Sequence, residues 1–282
     1  MLPRCFIAVV AICLTAFGAT AVAGERQDAK LLTASKVLEE LLRMPDQNIP
    51  AALLDRAYAL AVVPDVIKVG LGIGARRGKG VLVVRRDSGD WSNPVFINLT
   101  GGSFGFQVGV QSADVVLVFT SRQSIEGIVG GKITLGADAA VAAGPVGRQT
   151  QAATDIGLNA QVYSYSRASG LFAGVALDGS ALTIDKRSNA DFYGRPDVLA
   201  SEIIRSDAPA APGPAGGFIA AVQRSVAIAA NRGAVSAHTT NATPAAAPTE
   251  PASVSPAPKP ATEGSLTTYP MEDPTPGTEP PR

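Results

Sequence analysis

Between residues 28 and 43 the apolar positions Leu31, Ala34, Leu38, Leu41 and Leu42 recur three and four apart, opposite Lys36, Glu39, Glu40 and Arg43. That spacing predicts an amphipathic helix. Its polar face carries both signs, which suits packing on a domain better than lying on a membrane, where Lys and Arg would dominate. Asn48-Ile49-Pro50 opens a second predicted helix, with Asn as cap and Pro in the first turn. Leu53, Leu54, Ala57, Tyr58 and Ala61 form its stripe, and Pro64 ends it.

After Pro64 the pattern changes. Segments 66–74 and 80–86 are rich in Val, Ile and Leu, and 75–79 between them is polar around Gly78. This predicts a β-hairpin over 66–86. A polar turn at 87–90 leads to strands over 91–99, 103–111 and 115–119. Residues 122–129 make one or two helical turns, strands resume at 158–167, 171–177 and 181–185, and 188–193 and 196–204 read as helices. Short strands at near-regular spacing give an α+β fold: a predominantly antiparallel β-sheet or barrel-like core with N-terminal and C-terminal helices packed on it, followed by a disordered Pro/Ala/Thr-rich tail.

The chain has 282 residues, but neither end reads as globular. Arg4, an apolar run over 5–17 and a small-residue ending at Ala21-Val22-Ala23 predict a secretory signal peptide over 1–23; a retained N-terminal anchor is the alternative. The domain then spans 24–205. Residues 206–232 form a linker, set off by Pro209, Pro212 and Pro214, with a short helix around Ile219, Val222 and Val226. The 233–282 segment holds 11 of the 21 prolines and few large apolar residues, so burial cannot offset the entropy of ordering it.

Both cysteines, Cys5 and Cys13, fall in the predicted signal peptide, and the single histidine, His238, falls in the tail. The folded part therefore has no thiolate, no imidazole base and no Cys/His metal ligands. The expectation is a protein without catalysis, cofactor or metal. Asp138, Arg148 and Asp155, amid small residues, suggest a half-buried charged cluster, read as a structural ion pair or as catalysts with an unseen pocket.

Charge sharpens the picture at one place. Lys and Arg balance Asp and Glu at 24 each, yet 66–86 carries Lys68, Arg76, Arg77, Lys79, Arg85 and Arg86 with no acid, a charge of +6 over 21 residues. In the hairpin reading these divide into two trios about 20 Å apart. Lys68, Arg85 and Arg86 are offset by Asp65 and Asp87, whereas Arg76, Arg77 and Lys79 sit unneutralised at the turn and ask for an anionic partner. Gly70, Gly72 and Gly74 alternate and so share one face, which suits close packing. A dinucleotide loop would need a helix after the glycines, and a charged turn follows instead. Gly101, Gly102, Gly105 and Gly109 repeat the packing theme.

The segments AVVPDVIKVGLGIGARRGKGVLVVR, WSNPVFINLTGGSFGFQVGVQSADVVLVF, GADAAVAAGPVGRQTQAATD and YSYSRASGLFAGVALDGSALTIDKRSNADFYG, within 49–194, resemble the SYLF lipid-binding domain. That family occurs in bacterial envelope proteins and in eukaryotic proteins that join it to SH3 or FYVE modules. The resemblance implies binding of anionic lipids, phosphoinositides in eukaryotic members, and actin-related roles in some. The mixed polar face of the 28–43 helix departs from the amphipathic membrane helix of eukaryotic members, and these residues contain no SH3 or FYVE segment.

Together these readings give a secreted or periplasmic, peripherally membrane-associated lipid-binding protein. It recognises anionic phospholipid or phosphorylated lipid headgroups through Arg76, Arg77 and Lys79, with Lys68, Arg85 and Arg86 in support and Trp91 or Phe172 as candidates for insertion. Neither actin nor nucleic acid is an expected partner. The alternative is a structural or protein-interaction module of the cell envelope, bound to an envelope protein, with the Pro-rich tail as a spacer.

Overall fold

The computed structural model describes residues 21–42, 49–145, 159–168, 171–205 and 211–240. The apolar stripe predicted near the start forms α1 (Ala21–Leu42), whose Leu31, Ala34, Val37, Leu38 and Leu41 are buried. The expected cleavage point after Ala23 falls in its first turns; residues 1–20 lie outside the described part.

The second predicted helix is only one turn, α2 (Ala51–Asp55), with Pro50 in the cap position rather than inside it. From Ala59 the chain is extended instead, as β1 (Ala59–Val84). Every residue from Ala59 to Pro64 is buried. A strand covered on both faces is a continuous apolar run, which periodicity alone cannot tell from a helix. Pro64 does not stop the strand because it sits at a register break between Val63 and Val66. There Asp65 adopts φ 54° and its N–H is taken by Asp114 Oδ1 at 3.1 Å, the signature of a bulge.

The hairpin predicted over 66–86 does not form. Residues 75–79 continue as strand, pairing Ala75 with Gly102 and Lys79 with Asn98 on β2 (Val95–Phe119), also a single long strand where three had been expected. The reversal lies at the polar turn after Arg86, where Asp90 O accepts from Arg86 N at 2.8 Å and Gly89 has φ 90°.

After α3 (Arg122–Val129) come β3 (Lys132–Thr134), β4 (Val141–Ala143), β5 (Val162–Ala168), β6 (Leu171–Gly174) and β7 (Ser180–Ile184). The seven strands form one curled sheet, antiparallel except where β4 runs parallel to β5. One edge of β2 carries β1. The other is shared by β7 over Ile97–Gly101 and β5 over Asp114–Phe119.

Side-chain alternation divides the sheet into two faces. The inner face gathers Ala61, Val63, Leu82, Val84, Ile97, Leu99, Val115 and Leu117 with Ile125 and Ile128 of α3. The outer face gathers Leu60, Val62, Val81, Val83, Phe96, Val116, Val118 and Tyr165 with α1, α2 and α6. The curl is tight because the end of β1 comes back against its own start. A Cβ on Gly78 would lie 2.7 Å from Val63 Cγ1, and one on Gly80 would lie 2.8 Å from Val63 Cα. Only a residue without a side chain permits that approach.

The helices α4 (Lys186–Tyr193), α5 (Ala200–Ile204) and α6 (Ala215–Thr240) follow. The last of these changes the predicted domain boundary. In place of a linker ending at 232, α6 buries Phe218, Ala221, Val222, Ser225 and Ala229 and joins α1 through Arg224 to Glu39 at 3.0 Å. Pro212 and Pro214 precede this helix without detaching it; Pro209 lies outside the described residues. Its final residues, 233–240, were expected to be tail; the remainder of that predicted tail, 241–282, lies outside the described part.

Candidate functional site

Because β1 is one strand, its four cations obey alternation, and Arg85 and Arg86 follow its end. Lys68 and Arg76 share the inner face with Val66, Gly78 and Leu82, while Arg77 and Lys79 share the outer face with Val81. The trio at 76–79 is thus distributed over two faces rather than gathered at a tip.

Lys79 is held by the fold. Its Nζ donates to Asp185 Oδ2 at 2.6 Å, and the same carboxylate caps α4 by accepting from Ser188 N at 3.1 Å and Ser188 Oγ at 2.8 Å. Burial pushes the Asp185 carboxyl up, but the Lys79 bond, the two Ser188 bonds and the Lys79 charge together carry it below its ordinary value. Arg76 is half-buried and donates from Nη1 to Ala176 O at 3.4 Å; burial pulls its guanidinium below the usual value against the opposing pull of Asp178. Arg85 donates to Asp55 O at 3.0 Å and lies 5.9 Å from the Trp91 ring centroid. Arg86 donates to the carbonyls of Ile204 and Arg205 at 3.0 and 2.9 Å.

Two cations remain in solvent. Lys68 and Arg77 are exposed, and among the described residues neither side chain forms an ion pair or hydrogen bond. The aromatic candidates for insertion are core: Trp91 is 5% exposed, and Phe172, 3% exposed, stacks on Tyr165 with centroids 5.1 Å apart. Burial of both rings corrects the expectation that they reach a bilayer. Of the predicted acidic and basic cluster, Asp138 is exposed and closes a local turn through Thr134 N, while Arg148 and Asp155 lie outside the described residues. Among the described residues no group of His, Cys, Asp or Glu could hold a metal.

Two features escaped the sequence reading. Asn189, buried inside α4, pairs with the β2 backbone as a strand would, accepting from Phe96 N at 2.8 Å and donating to Phe96 O at 3.0 Å. Nothing local in the sequence marks it. The other is a set of exposed aliphatic side chains, Ile67, Val69 and Val110, on the β1–β2 ribbon. Alternation with the glycines is a signal for two of the three: if Gly70, Gly72 and Gly74 share one face, Ile67 and Val69 share the other, and Val110 joins them only through its pairing with Val69.

The family model described as "Ysc84: Las17-binding protein actin regulator" matches residues 100–225. Human SH3 domain-containing YSC84-like protein 1 is 37% identical over 182 residues, covering 62% of this chain and 53% of the relative. The same protein of Xenopus laevis is 37% identical over 177 residues, covering 61% and 52%. Protein YSC84 of Saccharomyces cerevisiae is 38% identical over 182 residues, covering 61% of this chain and 38% of that protein. The chain spans about half the length of the animal relatives it matches, and less of the yeast one. The family span begins in β2 and ends in α6, so it takes in the 215–225 part of the helix that completes the outer core. Through residues 100–225, the chain is similar to the Ysc84/SYLF domain family.

Proposed function

We propose that this protein is a non-catalytic module that attaches peripherally to membranes containing anionic lipid, with Arg77 and Lys68 as its solvated cations. At family level the domain is a binding module rather than an enzyme. The observation that carries the reading is that these two β1 cations, unlike Arg76, Lys79, Arg85 and Arg86, are not spent on the fold. Each such side chain near an anionic surface contributes about 1 kcal/mol, so a pair gives roughly thirtyfold at most. Among the described residues no helix is long and apolar enough to cross a membrane. A secreted or periplasmic location is part of the proposal and rests on the signal-like pattern of residues 1–23.

Flotation of the purified protein with vesicles tests this. Binding should rise with the fraction of phosphatidylglycerol and fall with salt; equal recovery on purely zwitterionic vesicles would refute it.

A second reading is protein interaction within an actin-regulating assembly. It is favoured by the family description and by the name of another yeast relative, LAS seventeen-binding protein 3, 36% identical over 173 residues. The expectation that actin is not a partner therefore loses its support. Co-sedimentation with actin filaments discriminates: pelleting with filaments but no flotation on any vesicle would favour this reading over the first.

A further inference from the structure

Beyond the cations, we propose that the outer face of the β1–β2 ribbon is a shallow bilayer-insertion ridge built on Ile67, Val69 and Val110. This deepens the proposed function and rests on it. Val69 and Val110 are directly paired across the two strands and Ile67 is two positions along the same face; they are 50%, 71% and 49% exposed. Cross-strand and next-but-one neighbours touch, so the three form one patch. The opposite face at this point carries Lys68 paired with Gln111.

The surroundings explain why the patch is bare. The helices cover the outer face where Leu60, Val62, Val116 and Val118 lie, and that covered zone ends at Arg167, which pairs with Glu40 of α1 and with Asp114. Beyond it, β2 has no strand on its second edge between Gly101 and Asp114 among the described residues. The ribbon also bends toward its inner face, since Gly78 is brought against Val63 and Val66 there. The bare outer face is therefore the convex one.

Size selects the occupant. Three half-exposed to mostly exposed aliphatic side chains present on the order of 200 Å² of apolar surface. A stable protein partner or a second copy needs about 800 Å² per side. The same area is enough to strengthen the hold of an otherwise weakly charged surface on lipid. Open strand edges keep the backbone at headgroup level, because unpaired N–H and C=O groups are not tolerated in hydrocarbon. The ridge thus reaches only the top of the acyl layer.

Val69→Trp tests the inference in the full chain, with vesicles of phosphatidylcholine and phosphatidylglycerol brominated near the top of the acyl chains. The native Trp91 is buried and serves as the internal control. On vesicle binding the added fluorophore should shift to the blue and be quenched, while wild-type emission should not change. Val69→Ser with Val110→Ser should weaken flotation about thirtyfold, or about 2 kcal/mol at 1.4 kcal/mol per decade, with unchanged circular dichroism and melting temperature. Wild-type flotation with no quenching of Val69→Trp would overturn the ridge and leave the charged interface standing. Failure of the wild type to float on any vesicle would remove both. A double-Ser variant that floats normally but changes from dimer to monomer in sedimentation would also overturn it, in favour of self-association.

Discussion

Replacing Lys79 by Met separates a cation that builds the fold from one that serves the surface. The variant keeps the aliphatic stem and removes only the ammonium, whose partner Asp185 is 9% exposed while Lys79 itself is 54% exposed. Breaking a fully buried pair costs about 3–5 kcal/mol. Here solvent screens the lysine, and Asp185 retains its two bonds from Ser188, so the loss should be about 1–2 kcal/mol. For a folded part of this size that is a fall in melting temperature of roughly 3–6 °C. Arg77→Ala should move the melting temperature by less than about 1 °C and weaken vesicle binding about fivefold.

The pH dependence supplies a second readout. A carboxyl held below its ordinary value in the folded state contributes stability that is present above the unfolded value, near 4, and is lost as pH falls through the folded one. The gap between wild type and Lys79→Met, measured by calorimetry, should therefore be full at pH 7 and close as the pH falls below about 4. A gap under about 1 °C at neutral pH, or one that persists unchanged to pH 2, would refute the assignment. So would a loss of flotation by Lys79→Met equal to that of Arg77→Ala.

Gly80→Ala should lower stability by several kcal/mol, because the new methyl meets the Val62 carbonyl and the Val63 backbone, whereas Gly102→Ala, with open space around it, should be nearly neutral; paired thermal melts check both. Asn189→Ala should cost about 1–3 kcal/mol in urea unfolding, since it leaves the buried Phe96 N–H without its acceptor, while the Phe96 and Asp185 carbonyls each keep a backbone donor. Ending the chain at Arg205 should expose the α1 face that Phe218 and Val222 cover, seen as dye binding and loss of cooperative unfolding; a two-state melt for that fragment would restore the domain boundary read from the sequence.

What could be read in advance was what local pattern determines. The amphipathic stripe of α1, the short α3 and α4, and most of the later strands followed from period and capping, and so did the α+β class. What failed was everything decided by distant partners. Ala59–Pro64 is strand only because both of its faces find cover, and 75–79 continues a strand only because Lys79 finds Asp185 and Gly78 and Gly80 let the strand return on itself. Both partners are far away in sequence or invisible to a hydrophobic pattern. The same holds for the site. A count of charges over 66–86 gave six candidates, but which of them are solvated depends on Asp185, Ala176, Asp55 and Ile204, contributed by four other parts of the chain.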